Sequence, residues 1–435
     1  EDVIKMSTIF SAEFAGRNIS IKTGYVAGQA DGAVMVIYGD TVVMVTAVSL
    51  KTAREGVDFL PLTVDYQEMT YAAGKIPGGF FKREGRPNER EILTSRVIDR
   101  SIRPLFPKGY CYETQLVATV LSVDSENDSD VAALLAASAA LEISDIPFKG
   151  PIVGVRVGRV DGQFICNPSK VEQEKGDLNL YLVGRKVVPG TEGRPYDVNL
   201  VMLEGEAQQV EEEHVIAGID FGLECMRPVI ELQDQLRSAL GKPKREFEAV
   251  EIDDALLAEV SEKAAVRMRE AYRMSRKLDR HAALDEIRNS VLKAVTADEA
   301  GLRLRTAAAL EALEKRIVRD VILKEKQRID GRSYAEIRAI SAEVGILPRA
   351  HGSALFNRGE TQSLAALALG TSSDEQRLDY VAGEETRSFI LHYNFPPYCV
   401  GEARPLRSPG RREIGHGNLA RKALMPVIPS PEEFP

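Results

Sequence analysis

Two adjacent aromatic residues stand beside two cations in this 435-residue chain, at Phe80-Phe81-Lys82-Arg83. Bases of single-stranded nucleic acid stack on exposed aromatic rings, and neighbouring cations neutralise the phosphate backbone. The preceding residues 72–79 are too rich in glycine for a regular helix or strand, so we expect the pair to lie on a loop. These residues predict a surface that binds single-stranded nucleic acid. The alternative is that the two phenylalanines fill a hydrophobic core.

Three arginines follow at helical spacing, at Arg96, Arg100 and Arg103. On a helix, intervals of four and three residues place side chains on one face. Guanidinium groups on one face repel one another unless an anion lies among them, and the arginine fork binds phosphate oxygens in pairs. We therefore predict contacts to phosphate. The alternative is a structural ion-pair network in which Asp99 supplies a carboxylate.

Near the end of the chain, Arg411 and Arg412 precede a histidine between two glycines, His416. Paired arginines of this kind predict a second phosphate clamp, and His416 is a candidate general acid or base. A single histidine is more often a structural hydrogen-bond donor, so that alternative stays open.

The net charge of −9 is unusual for a protein that binds nucleic acid, but phosphate binding depends on local charge. Eight basic residues face four acidic ones between Lys82 and Lys108. Six basic residues face one acidic residue between Arg404 and Lys422. Both phosphate-binding candidates therefore lie in basic segments of an acidic chain.

These basic segments belong to a repeated unit. Residues 31–41 align with residues 351–361 at an offset of 320, and residues 90–107 align with residues 412–429 at an offset of 322. Two alignments in the same order indicate a duplication. Each copy should contain two short strands joined by a Gly-Asp-Thr or Gly-Glu-Thr turn.

Hydrophobic patterning places further elements in the first copy, which runs from about residue 10 to about 240. We predict a helix of small residues over 132–141, helical structure over 210–240 with a break near Pro228, and an all-helical segment over 246–326. The charges of that last segment fit solvated helix faces. The predicted strands are Val42–Val48, Val117–Leu121, Ile152–Val157 and Val198–Leu203.

Several other classes of protein are disfavoured. No apolar run approaches the ~20 residues that a membrane span needs, and residues 1–14 lack the features of a signal peptide. The four scattered cysteines argue against a disulfide framework or a thiolate zinc site and suit a reducing compartment. A metabolic kinase-like fold is remote because the P-loop pattern is absent.

Four segments carry a resemblance to a known family: FFKREGRPNERE with the following IDRSIRPLFP, then RIDGR at 328–332, HGSALFNRGETQ at 351–362, and GRREIGHG at 410–417. They resemble segments of the polynucleotide phosphorylase family, and the resemblance covers essentially the whole chain. It implies an α+β fold with two RNase PH-like (ribosomal S5 domain 2-like) β/α domains joined by an all-helical linker domain. The implied boundaries are 1–240, 241–326 and 327–435.

The resemblance implies phosphate-dependent 3′-to-5′ degradation of RNA to nucleoside diphosphates in mRNA turnover, and the reverse polymerisation. It implies inorganic phosphate as co-substrate, a Mg²⁺ (or Mn²⁺) ion, single-stranded RNA as a partner, and a homotrimeric ring in the cytoplasm, without a membrane. A complex with a helicase and an endoribonuclease is a further implied partner.

The resemblance also suggests a role for each candidate residue. The family usually has arginine where Lys82 stands, so the charge is kept and the bidentate fork is lost. Phe80, Phe81, Lys82 and Arg83 match the loop that grips RNA; Arg96, Arg100 and Arg103 match basic residues near the RNA path; Arg411, Arg412 and His416 match basic residues of the active-site region in the second, catalytic copy.

The family's metal-binding acids, a nearby lysine and a serine-rich phosphate loop occur late in the second copy, so we expect them beyond Pro435. The corresponding places in the first copy are residues 127–130 and 176–181, where Asp130, Asn179 and Tyr181 replace those groups. Because hard divalent cations prefer carboxylates, we expect the first copy to be non-catalytic and to guide RNA, and this chain alone to be inactive.

The second copy is shorter than the first. The first copy continues for 133 residues after Pro107, whereas six residues follow Pro429. We therefore expect the chain to be a fragment or part of a longer protein. A different class of function stays open, namely a non-catalytic RNA-binding ring subunit of an exosome-like complex.

Overall fold

A computed structural model describes residues 7–54, 56–124, 126–191, 194–247, 254–295, 300–430 and 432–434. The chain forms two compact units. One unit comprises Glu1–Phe247 and Asp374–Pro435, and the other comprises Glu248–Ser373. No described helix has the length and the apolar character that a membrane span requires.

The first unit contains a six-stranded sheet in the order β1-β2-β3-β4-β6-β5. Neighbouring strands are antiparallel except for β5 and β6, which are parallel. Buried and half-buried residues alternate along β3 and most of β4, as expected for strands with one face on the core. The strands are β1 (Thr8–Phe14), β2 (Arg17–Thr23), β3 (Gly32–Tyr38), β4 (Thr41–Ser49), β5 (Leu62–Glu68) and β6 (Thr114–Ser122).

A second sheet of the same unit is antiparallel throughout, in the order β10-β9-β7-β8. Its strands are β7 (Ile152–Val160), β8 (Gln163–Cys166), β9 (Leu178–Val187) and β10 (Asp197–Ala207). The helices up to this point of the unit are α1 (Glu89–Ile102), α2 (Ser129–Ile143), α3 (Lys170–Lys175), α4 (Glu212–Cys225) and α5 (Arg227–Leu240).

Helix α2 lies at the centre of this unit. It packs against β3, β4, β6 and β7, and every residue of the helix except Asp130 is buried. Its many alanines allow the strands to approach the helix backbone closely. The helix therefore has no amphipathic pattern, which is typical of a helix buried on all sides.

The structure confirms the elements predicted for the first copy. The predicted strands lie within β4, β6, β7 and β10, and the helix of small residues lies within α2. The break near Pro228 is also confirmed, because α4 ends at Cys225 and α5 starts at Arg227 with the proline in its first turn. Strands β1, β2, β5, β8 and β9 were not predicted.

Where the structure describes it, the second unit contains three α-helices and a three-stranded antiparallel sheet, β11-β12-β13. The helices share one apolar cluster that includes Leu256, Met268, Leu284 and Leu310. The all-helical prediction is confirmed over most of 246–326, while residues 248–253 and 296–299 lie outside the described ranges. The elements are α6 (Asp254–Ala271), α7 (Lys277–Lys293), α8 (Ala300–Lys324), β11 (Ile340–Val344), β12 (Gly352–Arg358) and β13 (Thr361–Leu367).

The duplication is visible in the backbone. Strand β3 pairs with β4 from Gly32 opposite Ala47, and β12 pairs with β13 from Gly352 opposite Leu367, so both hairpins share one register at the offset of 320. Later elements of the second copy lie in the first unit: β14 (Gln376–Tyr380), β15 (Gly383–Arg387) and α9 (Arg411–Leu424). Helices α1 and α9 have 14 residues each and start 322 positions apart. The domain boundaries 1–240, 241–326 and 327–435 stay predictions.

Candidate functional site

The aromatic pair lies on an exposed loop. We call residues 75–88 the aromatic loop; the described backbone there forms turns and bends and has no helix or strand. Phe80 is 93% exposed and Phe81 is 88% exposed, and their rings meet edge to face with centroids 5.5 Å apart. The loop position is as predicted, and the alternative that the two rings fill the core is wrong. The rings are free to stack on a planar ligand.

The loop leads into α1 through a capping box. The Asn88 side chain accepts a hydrogen bond from the Glu91 backbone N–H at 2.9 Å, and the Glu91 carboxylate accepts one from the Asn88 N–H at 2.7 Å. This arrangement fixes the start of the helix. Arg96 and Arg100 lie on α1, and Arg103 follows its last residue with helical backbone angles, so the predicted helical spacing is confirmed.

The three α1 arginines have different partners. Arg103 donates to the Asp99 carboxylate at 3.0 Å and to the backbone carbonyl oxygens of Leu60 and Leu62, each at 3.1 Å. The ion-pair alternative therefore holds for Arg103, whose guanidinium ties the end of α1 to the start of β5. Arg100 pairs with Glu204 of β10 at 3.2 Å.

Helix α9 supplies the arginines of the second copy. Arg411 donates to the Val64 carbonyl oxygen at 2.6 Å and forms an ion pair with Asp65, so it fastens α9 to β5. His416 is half-buried, and its ring meets the Tyr393 ring edge to face at 5.4 Å. Arg412 is exposed in the first turn of the helix. A cation is disfavoured there by the helix dipole, and a bound anion would be favoured.

Arg96 and Arg412 bring the two copies together. Within the described ranges, neither side chain has a carboxylate partner. Arg96 lies against α9, since a Cβ built on Gly415 would be 2.5 Å from its Nε. Burial lowers the pKa of Arg96 below its ordinary value, and the charges of Arg100 and Arg412 add to this lowering. The carboxylates of Asp99 and Glu204 oppose this lowering without pairing with Arg96. Two guanidiniums without a paired carboxylate near one another form a place that attracts phosphate.

The first copy contains a different arrangement at the places that correspond to the family's acids and phosphate loop. Arg156 of β7 forms ion pairs with Asp128, at 2.8 Å, and with Asp130. Its guanidinium lies 5.1 Å from the centre of the Tyr181 ring, and the Tyr181 hydroxyl donates to the Asp130 backbone oxygen at 3.3 Å. Burial opposes the ionised form of Asp128, but Arg156 and Arg90 together hold its pKa below the usual range.

These residues do not fit a divalent cation. Hard cations need several free oxygen ligands, but Asp128 and Asp130 are paired with Arg156, and Asp177 lies 3.3 Å from the Arg159 guanidinium. Among the described residues, no group of three or more His, Cys, Asp and Glu side chains is placed to hold a metal ion.

Sequence reasoning identified Asp130 and Tyr181 but missed Arg156, the residue that joins them. Its signal is an arginine inside the otherwise apolar run Ile152–Val157. A charge in a buried strand requires a buried partner, and the two aspartates are the partners that the fold supplies.

Family models match three parts of the chain. Domain 1 of the 3′ exoribonuclease family matches twice, over residues 15–147 and 336–435. Domain 2 of that family matches residues 150–225. The RNA binding domain of polyribonucleotide nucleotidyltransferase matches residues 255–333. The double match of domain 1 covers both copies of the repeat.

Curated relatives agree with these matches. A polyribonucleotide nucleotidyltransferase of Geobacter sulfurreducens is 52% identical over 425 residues, which is 98% of this chain and 59% of that protein. One of Geotalea uraniireducens is 50% identical over 430 residues, covering 99% of this chain and 60% of that protein. The chain therefore spans about three fifths of the length of these relatives. Among solved structures, rice Rrp46 covers 53% of the chain at 20% identity with a TM-score of 0.40.

Proposed function

The chain belongs to the 3′ exoribonuclease family, and from this premise we propose that its protein is a polyribonucleotide nucleotidyltransferase, a phosphate-dependent 3′-to-5′ exoribonuclease in RNA turnover. An oxygen of inorganic phosphate attacks the phosphorus of the last phosphodiester. The bond from that phosphorus to the 3′ oxygen breaks, so the shortened RNA keeps a 3′-hydroxyl and the terminal nucleoside leaves as a 5′-diphosphate. The reverse reaction polymerises nucleoside diphosphates.

The observation that carries this proposal is that Arg96 of α1 lies against Gly415 of α9, the helix that carries Arg412, and that neither arginine forms an ion pair among the described residues. Charge builds up on the transferring phosphoryl group during the reaction, and fixed guanidiniums offset it. In the proposal Arg412 contacts the reacting phosphates, and Arg96 holds an RNA phosphate nearby. His416 stays a candidate donor to the same phosphates.

Arg411 and Arg103 have supporting roles in this proposal. Both guanidinium groups are hydrogen-bonded to carboxylates and backbone carbonyls, so they hold α9 and α1 on β5 and are not available to bind phosphate. Arg100 shares its charge with Glu204 and lies beside the RNA path. The proposed RNA contacts also include Phe80, Phe81, Lys82 and Arg83 of the aromatic loop.

The two copies divide the work in this proposal. The first copy guides RNA, because its own ion pairs fill the place of a phosphate and metal site. The second copy is catalytic. A Mg²⁺ or Mn²⁺ ion would be held by residues other than those described, so we derive no step through it. A homotrimer, a complex with a helicase and an endoribonuclease, and a cytoplasmic location belong to the same proposal.

The requirement for phosphate tests the proposed reaction. We expect the complete protein to consume oligoadenylate only when inorganic phosphate is supplied, and to release adenosine diphosphate, because phosphate is the nucleophile. Chromatography of the products measures this. Adenosine monophosphate released without phosphate would show a hydrolase, and RNA binding without any product would favour the non-catalytic ring subunit.

Substitution of the aromatic pair tests the RNA-guiding role. We expect Phe80→Ala and Phe81→Ala each to weaken oligoadenylate binding about tenfold, because base stacking contributes about 1–3 kcal/mol per base. Fluorescence anisotropy of a labelled oligoadenylate measures the affinity. Phe59→Ala is the matched control, since Phe59 is 63% exposed in the same unit but outside the loop. Equal affinities for all these variants would remove the aromatic loop from the RNA path.

A further inference from the structure

A carboxylate closes the aromatic loop at its base. One oxygen of Glu84 accepts a hydrogen bond from the Thr70 backbone N–H at 2.8 Å, and the other accepts one from the Thr70 hydroxyl at 3.0 Å. Thr70 starts a short 3₁₀ turn that ends at Ala73, just before the loop. Glu84 therefore brings the far side of the loop back to the residue from which the loop departs.

The segment after Glu84 is fixed by a second carboxylate. Glu91 accepts hydrogen bonds from the Glu68 N–H at 2.8 Å and the Asn88 N–H at 2.7 Å, which joins the end of β5 to the start of α1. Residues 76–83 lie inside the loop that Glu84 closes, and their side chains make no hydrogen bond within the part of the chain that the structure describes. This segment contains the two phenylalanines, and its position therefore depends on the hydrogen bonds that fix the two ends of the loop.

The backbone of Lys82 supports the same conclusion. Its φ of +48° lies in the left-handed region, which costs about 1–2 kcal/mol for a residue with a side chain. An open loop would relax to other conformations. A closed base keeps Lys82 and its neighbours in this turn.

The second copy is an internal comparison for this closure. Gly74 and Gly401 end equivalent short turns, with φ of 67° and 72°. From there the first copy has 14 residues before α1, and the second copy has nine before α9. Pro397 stands where Thr70 does, and proline offers neither an N–H nor a hydroxyl. The second copy thus lacks the donors of the closure, the extra five residues and the aromatic pair together.

We propose that Glu84 is a positioning residue that, through Thr70, holds Phe80 and Phe81 in place for single-stranded RNA; this rests on the function proposed above. Closing the base removes chain entropy before RNA arrives, so less ordering has to occur on binding. Glu84 acts through the loop and does not itself contact RNA.

Limited trypsin digestion tests the closure without RNA. Trypsin cleaves after Lys82 and Arg83, and we expect Glu84→Ala to raise the cleavage rate at these bonds on the order of tenfold, because cleavage follows local opening. The matched control is Glu172→Ala, since that carboxylate accepts from the N–H and hydroxyl of Ser169 at 2.7 and 2.8 Å, outside the loop. Equal loop cleavage in the two variants and in the unaltered protein would overturn the closure.

Phosphorolysis by the complete protein tests the link to RNA. We expect Glu84→Ala to raise the KM for oligoadenylate about fivefold with kcat and the KM for phosphate unchanged, which corresponds to about 1 kcal/mol. Glu84→Gln should be intermediate. The double variant with Thr70→Ala and Glu84→Ala should have nearly the same KM for oligoadenylate as Glu84→Ala alone, because the two residues form one closure.

The outcomes separate this inference from the proposed function. If Phe81→Ala raises the KM for oligoadenylate and Glu84→Ala does not, the positioning role is wrong while the RNA path stands. In another outcome, Glu84→Ala raises trypsin cleavage of the loop, but neither Glu84→Ala nor Phe81→Ala changes the KM for oligoadenylate. The closure of the loop by Glu84 would then be correct. Both the positioning role of Glu84 and the place of the loop on the RNA path would be wrong.

Discussion

Replacement of Arg156 by alanine is expected to lower the free energy of unfolding by about 3 kcal/mol, because, among the described residues, it leaves the largely buried Asp130 without its ion-pair partner and the largely buried Asp128 with only Arg90, at 3.9 Å. Arg156 forms ion pairs with both Asp128 and Asp130, and the three side chains are only 20%, 16% and 13% exposed. Screening by solvent is weak at such sites. Urea unfolding followed by circular dichroism measures the loss.

The effect of pH on this variant has a definite sign. In the unaltered protein, Arg156 and Arg90 outweigh burial and hold the pKa of Asp128 low, so this ion pair stabilises above the unfolded pKa and its contribution is lost as pH falls through the folded pKa. In Arg156→Ala, only Arg90 remains among the described residues as an ion-pair partner to offset the burial of Asp128, so the ionised carboxylate is less stable. The difference in free energy of unfolding between the unaltered protein and Arg156→Ala should therefore become smaller as the pH is lowered toward about 4, where the carboxylates of the unfolded chain take up protons.

Two further variants control this prediction. Arg185→Ala removes an arginine from β9, the neighbouring strand, and should change stability by about 0.5 kcal/mol or less because this residue has no ion pair among the described residues. Asp130→Asn combined with Arg156→Ala should recover part of the loss. An Arg156→Ala protein as stable as the Arg185→Ala protein would contradict the structural role of the ion pairs.

Local features of the fold were predictable from the sequence. The Gly39-Asp40 turn lies between two apolar runs, and the structure forms the β3–β4 hairpin there. The glycine-rich residues 72–79 predicted a loop, and the exposed Phe80 confirms it. Such features depend on neighbours within a few residues, so the sequence alone carries the information.

Long-range partners were not predictable. Arg411 and Arg412 are adjacent and of one type, yet Arg411 pairs with Asp65, 346 positions away, and Arg412 has no carboxylate partner among the described residues. Likewise Arg103 pairs with Asp99 on the same helix, whereas Arg100 pairs with Glu204 on another element. Residue type predicts affinity for anions, but only the packing of α1 and α9 decides which anion each arginine meets.

The same limit applies to the first copy. The resemblance implies that Asp130 stands where the family has a phosphate-binding serine, but the sequence does not show that Arg156 neutralises Asp130. The ion pairs give Asp128 and Asp130 a structural role, because they join β7 to the start of α2.

Replacement of Gly32 by alanine is expected to lower the free energy of unfolding by about 3 kcal/mol, because the core there has no room for a methyl group. A Cβ at Gly32 would lie 2.1 Å from the carbonyl oxygen of Ala140 and 3.1 Å from the Ser144 Cβ. The first neighbour is backbone of α2, so the helix as a whole would have to move away from β3. Hydrogen exchange of the α2 amides, with urea unfolding, measures the effect.

The repeat supplies the control for this prediction. Gly352 occupies the same position of β12, but a Cβ there would meet only the Leu367 side chain, at 3.3 Å. Leu367 is 51% exposed and can shift by the few tenths of an ångström that this contact needs, so Gly352→Ala should change stability much less than Gly32→Ala, by about 0.5 kcal/mol. A large loss of stability in Gly32→Ala with little change in Gly352→Ala would show that glycine is required at position 32 because of the close contact with α2. It would exclude a requirement of the hairpin backbone for glycine. Equal losses at both positions would contradict it.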